Sequence, residues 1–172
     1  MELLERFALG DLEAFESLFR QFQGEVYGSI LRLVRDPGTA EDLTVETFWR
    51  IYRARARFDP ARSFVTWARR IASNAALDQI KASRAEILLP ADLPDPRAVN
   101  PAVERDLHDQ IRAAFRRLPA KLQAVATLAL IEEKPQAVIA AELGISAEAV
   151  KSRQFRAVRL LRKELKRLGV EP

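Results

Sequence analysis

The segment Ala140–Arg156 restricts the fold of this chain more than any other. It contains a short apolar helical pattern, Gly144, Ser146 and then a helical pattern rich in cations. Glycine suits the left-handed residue that ends a helix, and a serine oxygen accepts hydrogen bonds from the first free amides of the next helix. Two helices joined this tightly form a helix-turn-helix, whose second helix can enter the major groove of DNA.

The predicted second helix separates an apolar stripe from a basic stripe at about 100° per residue. The apolar stripe, expected to pack on the domain, contains Val150, Ala157, Val158, Leu161 and Leu165. The basic stripe contains Lys151, Ser152, Phe155, Arg156, Arg159 and Lys163. A thymine methyl group or a base face would give the Phe155 ring a partner. The alternative is that Phe155 packs on a neighbouring helix and that the cations are only solvated, and the well-formed turn favours DNA.

Composition excludes several other classes of protein. The 172 residues contain no cysteine, which rules out disulfides and thiolate metal sites. The N-terminus carries acids where a signal peptide needs bases, and no run approaches the roughly 18 apolar residues of a membrane span. A cytoplasmic protein without membrane insertion is therefore expected.

Catalytic chemistry is not expected. His108 is the only histidine, and the chain has no glycine-rich phosphate loop and no metal-spaced cluster. Glu132 and Glu133 are adjacent carboxylates at a predicted helix end, where loop charges are more common than an acid–base pair. We predict no catalytic residue, no metal, no cofactor and no small-molecule substrate.

Charge alternates in blocks along the chain. The net charge is −3 over residues 1–60, +4 over 61–85, −4 over 86–110 and +7 over 111–172. Two basic blocks separated by an acidic one indicate two phosphate-facing surfaces and a connector that avoids a polyanion.

Helical periodicity predicts an all-α fold of two small domains. In the first domain, residues 1–85, Asp11 caps a helix through Phe22, and a second helix covers Val26 to Val34. Thr39 with Asp42 forms a capping box for a third helix to about Arg55, and Ser63 caps a fourth to about Arg84.

Residues 86–102 are predicted to be a linker, because four prolines and three acids crowd the stretch 86–101. Asn100 and Pro101 are a plausible cap and first position for the next helix. The second domain, residues 103–172, is then about four short helices that include the helix-turn-helix.

Three stretches together resemble the extracytoplasmic-function sigma factors of bacteria, which retain only sigma regions 2 and 4. Residues 40–50 are similar to the family helix that docks on the clamp-helix coiled coil of RNA polymerase. Residues 64–78 resemble the segment that engages and melts the minus-10 element, and residues 139–161 resemble the minus-35 reader. The resemblance covers about residues 10–84 and 103–166. It implies RNA polymerase core, including its clamp helices and flap, and promoter DNA as partners.

The resemblance also implies site residues. The residues implied to contact the minus-35 duplex are Lys151, Ser152, Arg153, Phe155, Arg156 and Arg159. The residues implied to contact the minus-10 strand are Phe58, Asp59, Arg62, Trp67, Arg69, Arg70 and Asn74. Residues 57–63 resemble the family loop that captures a flipped base. The residues implied to dock on polymerase are Asp42, Thr44, Val45, Trp49 and Arg50.

Two of these assignments have a structural alternative. Trp67 has the spacing of a core residue with Phe64 and Ile71, and this is the favoured interpretation of its ring. The helix over 40–55 is apolar over more than one face, so part of it is core and part can meet a partner.

The function implied is that of a factor directing polymerase to promoters. Family members are typically held by an anti-sigma factor, so such a partner is expected. The alternatives are an ordinary helix-turn-helix regulator and a sigma mimic that sequesters an anti-sigma protein. A mimic should have lost the basic side chains that Lys151, Arg156 and Arg159 retain.

Overall fold

The protein is all-α, as predicted. The computed structural model describes residues 2–87 and 103–170, and these contain helices and turns but no strand. The helices are α1 (Leu3–Ala8), α2 (Leu12–Val34), α3 (Pro37–Ala54), α4 (Phe64–Ile87), α5 (Val103–Arg117), α6 (Ala120–Ala126), α7 (Gln136–Leu143) and α8 (Ala147–Arg167).

The described helices form two compact units. The first contains α1, α2, α3 and α4 as far as Ile80, together with the segment Ala140–Ser146. The second contains the remaining residues of the described helices. The predicted boundaries at residues 85 and 102 remain predictions, although α4 continues as helix through Glu86 and Ile87, the first two residues assigned to the linker. The cap predicted at Asn100 and Pro101 lies outside the described residues.

The core of the first unit is aromatic, and Phe7 lies at its centre. The Phe7 side chain is fully buried. Its ring centroid lies 5.6 Å from that of Phe64, 6.0 Å from Phe58, 6.3 Å from Phe15 and 6.4 Å from Trp67. Edge-to-face and offset pairs at such distances add stability beyond the area they bury. This cluster joins α1, α2, α4 and the loop that precedes α4.

The cap of α2 was predicted correctly. The Asp11 carboxylate accepts hydrogen bonds from the backbone N–H groups of Glu13 and Ala14, at 2.9 and 3.1 Å. The Arg6 guanidinium donates to the same carboxylate at 2.7 Å, and this hydrogen bond lowers the pKa of Asp11 below its ordinary value. Asp11 therefore ties α1 to α2 as well as beginning α2.

Two helix boundaries in this unit were predicted wrongly. The two helices predicted over 12–34 are one continuous helix, which ends where Arg35 adopts a left-handed φ of 59°. Helix α3 begins earlier than Thr39, because Asp36 is the N-cap and accepts a hydrogen bond from the Thr39 backbone N–H at 2.8 Å. Pro37 then fills the first turn, where its missing N–H costs nothing.

The second unit has an apolar core built mainly from α5, α6 and α8. One cluster contains Ala114, Leu118, Leu122, Ala126, Ala157 and Leu161, with Phe115 and Leu165 packed against it. The helix predicted through Ile131 changes character along its length, because Thr127–Ile131 continues α6 as a π-helical turn. The chain then reverses through Glu133, whose φ is 50°.

Within the described residues, no helix combines the length and the apolar character that crossing a bilayer requires. The same residues hold no group of three or more histidine, cysteine, aspartate or glutamate side chains arranged to bind a metal ion.

Replacing Gly24 with alanine should stabilise the first unit. Gly24 lies in the middle of α2, and an added Cβ would meet nothing within 4 Å. Alanine reduces the conformational entropy of the unfolded chain, so the free energy of unfolding should rise by about 0.4–1 kcal/mol. Urea denaturation followed by circular dichroism measures the change. Gly144→Ala is the matched control: its φ of 65° is strained for alanine, so its change should have the opposite sign. A loss of stability in Gly24→Ala would contradict the prediction.

Candidate nucleic-acid interface

The predicted helix-turn-helix is present, formed by α7 and α8. Gly144 ends α7 with a left-handed φ of 65°, and the Ile145 backbone N–H donates to the Ala140 carbonyl at 3.0 Å. Helix α8 turns Val150, Ala157 and Leu161 inward, all of them buried. The apolar stripe predicted for this helix is therefore confirmed at these three positions.

Phe155 lies on the opposite side of α8 and is exposed. Its relative exposure is 71%, so the ring does not pack on a neighbouring helix in the second unit. It borders an open groove of about 610 Å³ whose other lining residues are Gln136, Lys151, Gln154, Val158, Arg159 and Arg162. An exposed aromatic ring between cations is suited to stack on or contact a base.

The cations of this surface are available to a ligand. Within the described residues, Lys151, Arg156 and Arg159 form no ion pair with a carboxylate, and all three are exposed. Arg156 has only a long contact to the Ser152 hydroxyl, at 3.5 Å, and Arg153 is half-buried. The α8 carboxylate Glu164 lies toward the other end of the helix, where Arg117 and Arg167 donate to it at 2.9 and 3.2 Å. Glu148, the other α8 carboxylate, is exposed in the first turn. The side of α8 that carries Lys151, Arg156 and Arg159 is therefore mainly positive, with one carboxylate near its start.

The aromatic residues predicted for the minus-10 strand lie in the core. Phe58 is 6% exposed, and its ring centroid is 4.9 Å from that of half-buried Trp67. The core interpretation of Trp67 is the one that this geometry favours. A base could stack on Phe58 only if the ring left the cluster around Phe7, so the contact predicted for Phe58 lacks an exposed ring in this conformation.

The polar residues predicted for the same strand lie largely at the surface. Asp59, Arg62, Arg70 and Asn74 are exposed. Arg62 lies 3.4 Å from the Asp59 carboxylate, and the Ala61 backbone N–H donates to that carboxylate at 3.0 Å. Arg69 differs from these, because it is half-buried and paired with Glu25 of α2.

The residues predicted to dock on polymerase divide in the same way. Val45 and Trp49 are 54% and 56% exposed, four residues apart on α3, and Asp42 is also exposed. Thr44 is buried, and its hydroxyl donates to the Ala40 carbonyl at 2.7 Å, so it offers no polar group to a partner in this conformation.

Arg50, the fifth residue of that set, joins two helices. Its guanidinium donates to Glu46 at 3.0 Å and to Asp78 of α4 at 3.3 Å. The hydrogen bond that Arg50 donates to Glu46 is the main cause that raises the pKa of Arg50 above its ordinary value. Arg50 therefore connects α3 to α4 while remaining partly exposed.

Four groove residues were missed by the sequence reasoning or were assigned to the core: Gln136, Gln154, Val158 and Arg162. Three of them could have been found on α8, because Gln154, Val158 and Arg162 follow each other at intervals of four residues. No sequence pattern indicates that Gln136, at the start of α7, lines the same groove.

The helix-turn-helix defines a class of DNA-binding protein, because its second helix presents cations that form no ion pair among the described residues. Comparison with known families extends this result to most of the chain. Residues 18–86 match the family model of sigma-70 region 2, and residues 108–161 match that of sigma-70, region 4.

Individual proteins agree with the family models. The chain is 34% identical to the RNA polymerase sigma factor CarQ of Myxococcus xanthus, over 98% of both chains. It is also 34% identical to the ECF RNA polymerase sigma factor BldN of Streptomyces coelicolor, over 94% of this chain and 64% of that protein. The structure of CnrH in complex with the cytosolic domain of CnrY has a similar fold, with a TM-score of 0.60, 24% identity and 95% of both chains covered. The chain belongs to the extracytoplasmic-function sigma factors, which direct bacterial RNA polymerase to promoters.

Replacing Phe155 with alanine should leave the stability of the second unit almost unchanged. An exposed ring contributes little to the core, so the free energy of unfolding should change by less than about 0.5 kcal/mol. Leu161→Ala is the matched control on the buried side of α8 and should cost about 2–5 kcal/mol. Urea denaturation compares the two. If Phe155→Ala lowered the free energy of unfolding as much as Leu161→Ala does, the interpretation of Phe155 as a packing residue would be restored.

Proposed function

We propose that the exposed side of α8 reads the minus-35 element of the promoter. The observation that carries this proposal is the exposure of Phe155 beside Lys151, Arg156 and Arg159, which form no ion pair with a carboxylate within the described residues. Arginine and lysine recognise guanine edges or phosphates, and an aromatic ring can contact a thymine methyl group. Ser152 and Arg153 lie on the same turns of α8 and complete the assigned contacts.

The first unit has a second DNA role in this proposal, which is to hold the melted minus-10 strand. Support comes from the exposed polar side chains of the 57–63 loop and of α4, namely Asp59, Arg62, Arg70 and Asn74. Extruding a base costs a few kcal/mol, which a pocket offsets through stacking and edge hydrogen bonds. Phe58, Trp67 and Arg69 act chiefly by supporting this surface, because their side chains are partly or wholly buried.

Core polymerase docks on α3 in this proposal. Val45 and Trp49 form an exposed apolar pair, and large aromatic side chains commonly dominate the energy of protein interfaces. Asp42 and Arg50 lie at the polar edge of this pair, and Thr44 contributes to the packing of α3. The chain performs no chemistry of its own, because polymerase supplies the catalytic site.

Two weak DNA sites on one chain bind tightly when both are engaged, because the first contact raises the effective concentration of the second. The two DNA contacts and the polymerase contact therefore depend on each other. We place this activity in the cytoplasm, where polymerase and promoters are found. An anti-sigma factor that blocks one of these surfaces completes the proposal.

Arg156→Ala should reduce promoter selectivity without affecting polymerase binding. Loss of a base-edge contact should lower the preference for the minus-35 element over a scrambled sequence by about 1–3 kcal/mol. Mapping the 5′ ends of transcripts made by core polymerase plus this protein identifies the element, and band-shift titration on matched duplexes measures the preference.

Arg167→Ala is the matched control for this experiment. Arg167 is an exposed arginine in the last turn of α8, where it pairs with Glu164, and its loss should leave selectivity unchanged. If Arg156→Ala weakened DNA binding equally on all sequences, Arg156 would be identified as a phosphate contact, and its assignment to a base would be contradicted.

Trp49→Ala should weaken the binding of core polymerase by about 2 kcal/mol, roughly thirtyfold, as expected when a central aromatic contact is removed. Fluorescence anisotropy of the labelled protein titrated with core polymerase measures the affinity. Leu12→Ala removes an apolar side chain that is 66% exposed elsewhere in the first unit, and it should change the affinity less than about twofold. Unchanged binding by Trp49→Ala would exclude the α3 surface as the docking site.

A further inference from the structure

Helix α1 lies outside the part of the chain that the region 2 family model covers, which begins at residue 18. Nothing in that match gives α1 a role. We infer that α1 positions the 57–63 loop for capture of the minus-10 base, with Phe7 as the positioning residue. This inference rests on the proposed function, and it adds a segment that sequence reasoning did not predict as a helix.

Both ends of the loop are attached to the Phe7 ring. Phe58 enters the loop and Phe64 follows it, and their ring centroids lie 6.0 and 5.6 Å from that of Phe7, both edge to face. The two rings also contact each other, at 5.7 Å. Phe58 and Phe64 are 6% and 3% exposed, so water is largely excluded from these contacts.

The loop itself is held mainly by short-range bonds. The Arg62 backbone N–H donates to the Asp59 carbonyl at 2.9 Å, and the Phe58 backbone N–H donates to the Arg55 carbonyl at 3.0 Å. Bonds between residues three apart fix the shape of a turn but not its placement on the bundle. The placement therefore depends on the two anchored phenylalanines. Trp67 contacts Phe58 at 4.9 Å and Phe22 contacts Phe64 at 5.1 Å, and Phe7 is the ring outside α4 that contacts both.

Phe7 is in turn fixed by the corner between α1 and α2. Gly10 makes the turn with a φ of 93°, and the Asp11 backbone N–H donates to the Arg6 carbonyl at 3.0 Å. The Arg55 side chain packs on this corner so closely that a Cβ on Gly10 would lie 3.0 Å from its Nε. Arg55 also begins the turn that leads into the loop, so the corner and the loop are in contact through one side chain.

The test uses Phe7→Leu in the full-length protein, with Phe19→Leu as the matched control. Phe19 packs on Phe48 at 4.7 Å, and none of its observed ring contacts is to Phe58 or Phe64. Reconstituted polymerase is titrated with a fork-junction DNA that carries the single-stranded minus-10 element of a promoter mapped by transcript 5′ ends. Affinity for core polymerase and for minus-35 duplex is measured in parallel, and hydrogen exchange follows the Phe58 and Arg62 amides.

Phe7→Leu should weaken fork-junction binding at least tenfold and speed exchange of the two loop amides, while core and minus-35 affinities stay within twofold. Phe19→Leu should leave the fork-junction affinity within twofold. Normal fork-junction binding by folded Phe7→Leu would overturn the inference. If Phe7→Leu does not fold, Gly10→Ala replaces it as the test variant, because it strains the corner between α1 and α2 without removing an aromatic ring. Gly10→Ala should weaken fork-junction binding at least threefold, and unchanged binding would again overturn the inference. Failure of the wild-type protein to select any fork junction would instead contradict the proposed function.

Discussion

The ring of Phe7 is the contact on which the rest of the first unit depends. Helix α1 has six residues, and a helix that short is not stable by itself in water. Its Phe7 side chain is fully buried among rings from α2, α4 and the loop before α4. The helix is thus stabilised by the cluster that it completes. Because the 57–63 loop is anchored to the same cluster, core packing and the surface proposed to face DNA are not independent in this unit.

The sequence predicted helices well where the pattern was long and poorly where it was short or interrupted. Helix α1 covers fewer than two turns, so its apolar spacing gave no period to recognise. Helix α2 was predicted as two helices, one through Phe22 and one from Val26. Gly24 lies between them, and a glycine costs about 1 kcal/mol in a helix interior. Burial of Leu18, Val26 and Ile30 along the same helix outweighs that cost, and no left-handed residue ends the helix before Arg35. Local propensity was overridden by packing that only the folded chain contains.

The candidate site was predictable by region more than by residue. On α8 the helical phase is fixed by a long apolar stripe, so the exposed position of Phe155 followed from the sequence. Phe58 lies outside an α helix, so no helical periodicity predicts whether its side chain is buried, and in the structure it is buried. On α3, hydropathy would bury Val45 and expose Thr44, yet the reverse occurs. Thr44 shares the buried face of α3 with Ala40, Phe48 and Ile51, and its hydroxyl donates to the Ala40 carbonyl. A hydroxyl that bonds to its own helix can be buried at little cost.

The two basic blocks of the sequence are not equivalent in the folded protein. In the first unit Arg69 of the basic block is paired with Glu25 of the acidic block. Arg50, which itself lies in the acidic block, is paired with Glu46 and with Asp78 of the basic block. Those arginines hold helices together, and only part of the positive charge counted over residues 61–85 is available to a phosphate. On α8, Lys151 and Arg156 form no such pair among the described residues, so their charge acts outward. Electrostatic attraction for DNA should therefore be concentrated on α8, since a cation already paired releases few counterions when it meets a phosphate. In the proposed function, the first unit then holds the minus-10 strand mainly through shape and hydrogen bonds, so the placement of its loop matters more than its net charge.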